Sequence, residues 1–231
     1  MLYKSTFGTG EDLVLLHGWG FSGRIFNNLI EEYSKKYKIT IIDLPGHGKS
    51  SQINDYQSWY KEIIKILPSN SIIVGWSLGG ILAIKIATEI QLKKLVLIAA
   101  SPKFIQDKDW QFGIDKEIFL NFAESLEKDP IKTLKRFISL QSNSKDKLKK
   151  IKNTIESNPP TLDGLKNGLE ILMNYDLRKE LSLIKSNITV YLGEKDTLIP
   201  KEIKTWYESK GVSTFILKGG HAPFLNENFY I

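Results

Sequence analysis

Short runs of leucine and β-branched residues recur along the chain, and apolar residues at helical spacing fill the stretches between them. A mostly parallel sheet covered by helices on both faces produces this alternation. The runs Leu13 to Leu16, Ile39 to Ile42, Ile72 to Val74, Leu95 to Ile98, Ile188 to Leu192 and Thr214 to Leu217 predict six strands, and Leu2 to Phe7 is a candidate edge strand. Apolar positions near a 3.6-residue repeat predict crossover helices over Phe26 to Tyr33, Tyr56 to Ile66, Gly80 to Ile90 and Lys201 to Tyr207. From about Ser101 to Ser186 the alternation stops, and helical patterns alone occupy Lys116 to Leu126, Pro130 to Leu140, Lys145 to Ile155 and Leu162 to Tyr175. The pattern therefore predicts an α/β core formed by residues 1–100 and 187–231, with an all-helical insertion over 101–186.

The most specific chemical signal is Gly75-Trp76-Ser77-Leu78-Gly79-Gly80, placed after an apolar run and before a helical pattern. This is the context of a nucleophile elbow, a strained strand-to-helix turn that lifts a serine hydroxyl clear of the sheet. Glycines are needed beside it because side chains there would collide with the reversing backbone. The turn also aims the Leu78 backbone N–H and the positive end of the following helix at the place where an oxyanion would form.

A serine hydroxyl needs a base, and the chain offers only His17, His47 and His221. His17 lies in Leu16-His17-Gly18-Trp19-Gly20 and His47 in Asp43-Leu44-Pro45-Gly46-His47-Gly48-Lys49-Ser50, both glycine-rich strand exits where a histidine shapes a loop. His221, after the last strand, fits the chain order serine, acid, histidine. The acid then belongs in the loop after the penultimate strand, which reads Gly193-Glu194-Lys195-Asp196-Thr197-Leu198-Ile199-Pro200. Asp196 is favoured by its compact turn, with Glu194 as the alternative. A second oxyanion donor is expected from the loop after the first central strand, at the Trp19 N–H, with the Trp19 side chain walling the site.

Composition narrows these choices. Cysteine is absent, which excludes a disulfide scaffold, a thiolate metal site and a cysteine nucleophile. Three scattered histidines without paired carboxylates argue against a metal centre, and no glycine-rich phosphate loop opens a helix, so no cofactor is expected. No apolar run approaches a signal peptide or a bilayer span, and a soluble, cytoplasmic protein, expected as a monomer without membrane contact, follows. The formal charge of +6 is concentrated: Lys128 to Lys152 holds nine basic residues against Asp129 and Asp146. Those lysines lack the interleaved aromatics that stack bases, so nucleic acid is not the expected partner.

These motifs together identify the chain as similar to the α/β-hydrolase family, over nearly its whole length. Within that family, Ala100-Ser101-Pro102-Lys103-Phe104, Arg136 to Gln141, Gly168 to Leu172 with Asp176-Leu177-Arg178, and His221-Ala222-Pro223-Phe224 resemble the pimeloyl-[acyl-carrier protein] methyl ester esterases of biotin synthesis. The resemblance implies an α/β-hydrolase fold whose helical insertion is a lid, Ser77, Asp196 and His221 as a catalytic triad, and Trp19 and Leu78 as the oxyanion hole. It also implies an acyl pocket lined by Phe137, Ile138, Ser139, Leu140 and Gln141, and an acyl-carrier protein as the partner that bears the substrate. Lys132, Lys135 and Arg136 then become candidates for docking the acidic carrier. The family's terminal helix has little counterpart after His221, which leaves the cover of that sheet edge in question. A broad short-chain carboxylesterase, a C–C hydrolase or lyase of the same fold, and a catalytically silent binding module are the competing functions.

Overall fold

A computed structural model describes residues 1–141, 144–156, 158–225 and 229–231. Strands β1 (Lys4–Phe7), β2 (Glu11–Leu16), β3 (Tyr37–Ile42), β4 (Ile72–Trp76), β5 (Lys94–Ile98), β6 (Asn187–Gly193) and β7 (Ser213–Leu217) form one sheet in the order β1-β3-β2-β4-β5-β6-β7. The edge strand β1 runs antiparallel to β3, and every other pairing is parallel. Helices α1 (Asn27–Tyr33), α2 (Trp59–Ile64) and α3 (Leu78–Glu89) fill the first crossovers, and α9 (Ile203–Ser209) fills the last. Between β5 and β6 lie α4 (Lys116–Lys128), α5 (Pro130–Ser139), α6 (Lys145–Glu156), α7 (Leu162–Asn174) and the short α8 (Arg178–Leu181).

The central strands carry no polar alternation because both of their faces are covered: Leu13 to Leu16, Ile73, Val74 and Leu95 to Ile98 have no exposed surface. For the same reason α3, pressed between the sheet and its neighbours, is apolar almost all round. Six parallel strands point one way, so the loops leaving β2, β3, β4, β6 and β7 gather along one edge of the sheet, where open α/β sheets place their ligand sites. The register sets Leu16 of β2 opposite Gly75 of β4, which brings the His17 loop beside the Ser77 turn.

The insertion is not wholly helical. Ahead of α4 the chain doubles back through isolated bridges between Ile105 and Ile114 and between Asp107 and Trp110, and Lys103 bridges to Asp176 beyond α7. Side-chain anchoring, which has no period in sequence, explains this segment. The Trp110 indole is buried and donates to the Lys103 carbonyl at 2.9 Å. Lys103 pairs with Asp107 and Asp176 at 2.9 and 3.1 Å, and Arg178 pairs with Asp176 and Asp109 at 2.7 and 3.1 Å. The Arg178 guanidinium, donating to Asp176, holds that carboxyl down at about 2. The following helices begin at side-chain caps: Asp115 accepts from the Glu117 and Ile118 N–H groups, Asp129 from Lys132 with Pro130 in the first turn, and Thr161 from Gly164.

Helix α7 ties the insertion to the core. Asn167 donates to the Ile53 and Asn54 carbonyls at 3.1 Å each, and the Thr161 N–H reaches the Gly46 carbonyl at 2.8 Å. At the opposite sheet edge, Phe215 and Ile216 of β7 are half exposed, while Tyr191 is covered by Phe215 and Phe229.

Because Leu97 has no exposed surface at the middle of the sheet, Leu97→Ala should lose both transfer free energy and packing. The expected destabilisation is about 2–5 kcal/mol, read as a lower urea midpoint with an unchanged slope.

Candidate active site

Ser77 sits at the reversal between β4 and α3 with φ 54° and ψ −116°, a conformation that a residue with a Cβ rarely adopts. It persists because the neighbours leave the chain no alternative. A Cβ at Gly75 would lie 2.5 Å from the Gly79 carbonyl oxygen, and one at Gly79 would strike the Leu16 and His17 carbonyl oxygens. The Ser77 N–H donates to the Ile98 carbonyl of β5 at 3.0 Å, and its carbonyl accepts from Gly80 at 2.8 Å. The side chain is not at an exposed tip: Ser77 is 3% exposed because the insertion closes over it.

The last strand returns His221 to this turn. Its Nε2 lies 2.8 Å from the Ser77 Oγ and its Nδ1 lies 2.8 Å from Asp196 Oδ2. A carboxylate only accepts, so Nδ1 carries the proton and donates to Asp196, leaving Nε2 to accept the serine hydroxyl. Asp196 is fixed in turn by the Leu198 and Ile199 N–H groups, which donate to Oδ1 at 2.8 and 3.2 Å. Neither the His221 nor the Asp196 side chain has exposed surface. Glu194 stays exposed just past the end of β6, where its N–H donates to the Leu217 carbonyl. The His221 loop is clamped by two more bonds: the Trp76 indole donates to the His221 carbonyl at 2.7 Å, and the Ala222 N–H donates to the Gln141 carbonyl at 3.3 Å.

His17 and His47 do not reach Ser77. Both are fully buried in the loops leaving β2 and β3, 5.5 Å apart between ring centroids. Burial pushes His17 down to about 4 and His47 down to about 3, the latter helped by the neighbouring His17. Asp43 organises the second loop by accepting from the Gly23 and Lys49 N–H groups at 2.7 and 2.9 Å.

Above Ser77 opens a cavity of about 570 Å³ between the sheet edge and the insertion. Trp19 walls it, with its ring edge-on to Phe122 and Phe137 and its indole N–H donating to Leu165 of α7 at 2.8 Å. Of the five consecutive residues expected along the acyl pocket, Phe137 and Leu140 line the cavity. The other three face elsewhere: Ile138 is buried, Ser139 is exposed and donates to the Arg136 carbonyl, and Gln141 is buried under the His221 loop and donates to the Phe137 carbonyl. Neighbouring helix positions point to different sides, which separates Ile138 and Ser139 from Phe137, and Gln141 lies past the end of α5. Leu78 contributes no side chain to the lining; its N–H belongs to the first turn of α3, which has no partner within the helix.

Lys132 and Arg136 stand on the cavity wall with Lys128, while Lys135 is exposed to one side. The side chains of Lys145, Lys147 and Lys150, which belong to the basic segment, lie outside the described residues. Sequence reasoning missed Phe104, Phe119, Phe122, Leu169, Leu172 and Leu198. The i, i+3 spacing of Phe119 and Phe122 is a signal that could have flagged an apolar face on α4. Among the described residues, no cluster of three or more His, Cys, Asp or Glu side chains could hold a metal, and no helix is long and apolar enough to cross a membrane.

Residues 13–228 match the alpha/beta hydrolase family. The chain is 36% identical over 247 residues to the pimeloyl-[acyl-carrier protein] methyl ester esterase of Pseudoalteromonas atlantica, covering all of this chain and 95% of that one. It is 39% identical over 231 residues to the protein of the same name from Legionella pneumophila strain Corby, covering 97% and 93%. Among solved structures, an esterase from Exiguobacterium antarcticum superposes with a TM-score of 0.87 at 26% identity, covering 98% of this chain and 90% of that one.

The two buried histidines set an acid limit on stability. Each is neutral in the folded chain down to about 4 or 3 but protonates near pH 6.5 when unfolded, so the unfolded state binds more protons between those values. Stability attributable to them is intact above pH 6.5 and falls as the pH drops toward 4, by roughly 1 kcal/mol per pH unit for each histidine. Urea unfolding at half-unit steps between pH 7 and pH 4 should show this slope, and His17→Gln should remove part of it.

Proposed function

The chain belongs to the alpha/beta hydrolase family, and on that premise we propose that it is a serine carboxylesterase acting on the methyl ester of a pimeloyl group carried by an acyl-carrier protein. The observation that carries the chemistry is the unbroken relay from the Ser77 hydroxyl through His221 to Asp196, at 2.8 Å for each link. His221 Nε2 takes the hydroxyl proton as Ser77 Oγ bonds to the ester carbonyl carbon, and Asp196 stabilises the imidazolium that results. The carbonyl oxygen becomes an oxyanion facing the Trp19 and Leu78 N–H groups and the positive end of α3. Collapse breaks the bond to the methoxy oxygen, which leaves as methanol with the proton from His221. Water then repeats the sequence on the acyl-enzyme, releasing the free acid and restoring Ser77.

The substrate reading draws on the cavity and on the relatives. An apolar chamber of about 570 Å³ walled by Trp19, Phe119, Phe122 and Phe137 suits an aliphatic acyl chain with its ester at Ser77. Lys128, Lys132 and Arg136 at its wall suit a chain whose far end is attached to an acidic protein. The segment 101–186 acts in this reading as the lid that carries both the apolar wall and the cationic mouth.

Ser77→Ala should fold normally and lower kcat by roughly 10³- to 10⁶-fold, and His221→Ala should do the same. Asp196→Asn should cost up to about 10⁴ by turning His221 to the wrong tautomer, whereas Glu194→Gln should change kcat little. Methanol release from the carrier-bound methyl ester measures all four, and retention of a tenth of wild-type activity in Ser77→Ala would overturn the assignment.

Reversing Lys132, Lys135 and Arg136 together to glutamate should raise KM for the carrier-bound ester and leave a small soluble ester unaffected. Single exposed charges contribute about 1 kcal/mol or less, so the triple change is the informative one. Added salt should act in the same direction. An unchanged ratio between the two substrates would reduce the cationic stretch to a solvated helix face.

A further inference from the structure

Both peptide units that flank the Trp19 Cα are held by a histidine, and the two histidines belong to different loops. His17 Nδ1 lies 2.8 Å from the Gly18 carbonyl oxygen, and the Leu44 N–H donates to His17 Nε2 at 2.9 Å. His47 Nδ1 lies 2.9 Å from the Pro45 carbonyl oxygen, and the Gly20 N–H donates to His47 Nε2 at 3.2 Å. The bonds run crosswise. His17, in the loop after β2, receives its N–H from the loop after β3; His47, in the loop after β3, receives its N–H from the loop after β2.

This pattern determines the proton positions. A backbone N–H only donates, so Nε2 of each ring is the bare nitrogen. Each Nδ1 therefore carries the proton and donates it to a carbonyl. Neither ring has an exposed atom through which water could compete.

The consequence falls on Trp19. A peptide unit is planar, so anchoring the Gly18 carbonyl fixes the Trp19 N–H at the other end of the same unit. Anchoring the Gly20 N–H fixes the Trp19 carbonyl in the same way. The Trp19 indole is held separately by the Leu165 carbonyl of α7, so the insertion fixes its side chain while the histidine pair holds its main chain.

We infer that His17 and His47 are positioning residues that aim the Trp19 N–H at the oxyanion, acting together as neutral Nδ1–H tautomers. The inference rests on the reading of Trp19 as an oxyanion donor; neither histidine touches the reacting atoms. Burial supports the neutral state, holding His17 at about 4 and His47 at about 3. The ionisable groups beside the pair are each other and Asp43, whose two carboxylate oxygens are already taken by the Gly23 and Lys49 N–H groups. The edge of Trp59 completes the packing around His47.

Two measurements on the full chain test this. Long-range ¹H–¹⁵N spectra at pH 7 should show both rings protonated at Nδ1 and bare at Nε2; a proton on Nε2 of either ring overturns the inference. In kinetics, His47→Leu keeps comparable bulk without an acceptor, and His47→Gln restores an acceptor and a donor. With a small soluble ester, His47→Leu should lower kcat by roughly 10- to 100-fold, since loss of an oxyanion donor costs about 10²- to 10³-fold and here the donor is misaimed rather than deleted. Its KM should change by less than about threefold, and a trifluoromethyl ketone, which forms the oxyanion adduct, should weaken in step with kcat. A non-reactive amide analogue should bind as before.

His47→Gln should recover most of kcat and of the ketone affinity. Equal kcat in the two variants, or a loss in KM without one in kcat, would sink the idea, as would a glutamine variant that folds but gains nothing over leucine. Should His47→Leu fail to fold, the tautomers and a glutamine variant of near wild-type kcat carry the inference, and a glutamine variant with little activity overturns it. Activity surviving in Ser77→Ala would instead remove the underlying reading, while the tautomers would stand.

Discussion

The backbone reversal at Ser77 is the constraint on which the remaining geometry depends. A strand in the middle of a fully covered sheet has to turn straight into a helix, with its serine at a positive φ. That turn is possible only because Gly75, Gly79 and Gly80 let three backbones meet where side chains would collide. With Gly79 against the Leu16 and His17 carbonyls, the β2 loop lies directly beside the first turn of α3. The strain is offset by the surrounding packing: the Ser77 N–H is held by β5, and every residue of β4 is buried.

Around that turn, the buried charged and catalytic side chains each have partners. His221 is gripped at both ring nitrogens and at its carbonyl, Asp196 at both carboxylate oxygens, and Asp43 likewise. In a region of low effective dielectric such bonds are strong when made and costly when unmade, so the network specifies one arrangement of five loops. The three histidines differ in their hydrogen bonds: His221 bonds a carboxylate and a hydroxyl, while His17 and His47 bond only main-chain groups.

The insertion supplies what the sheet cannot. The core presents Ser77 at the bottom of an opening, and α4, α5 and α7 turn that opening into a chamber with an aromatic wall and cations at its side. Its docking on the core includes Asn167, Thr161 and the Trp19 indole, while the ion network around Asp176 and Arg178 braces the insertion internally. Ile118 and Leu140 are exposed and line the chamber beside Lys128, Lys132 and Arg136, so its wall is both apolar and positively charged.

The sequence by itself determined the features that local pattern encodes. Uninterrupted apolar runs mark strands covered on both faces, the glycines around Ser77 mark a turn that no other residues permit, and chain order singles out His221. Pattern carries period without direction, and here it stops. The run from Phe137 to Gln141 reads as one pocket wall, but a helix sends neighbouring residues to different sides, and only its docking chose Phe137 and Leu140. Asp196 and Glu194, two residues apart in a polar loop, were separated by the turn that caps Asp196 with the Leu198 and Ile199 N–H groups and leaves Glu194 in solvent. The crossed bonds of His17 and His47 join loops 27 residues apart, and the Trp19 indole reaches a carbonyl 146 residues away. Such contacts exist only once the sheet has set its strands side by side and the insertion has closed over them, so tertiary structure alone decided them.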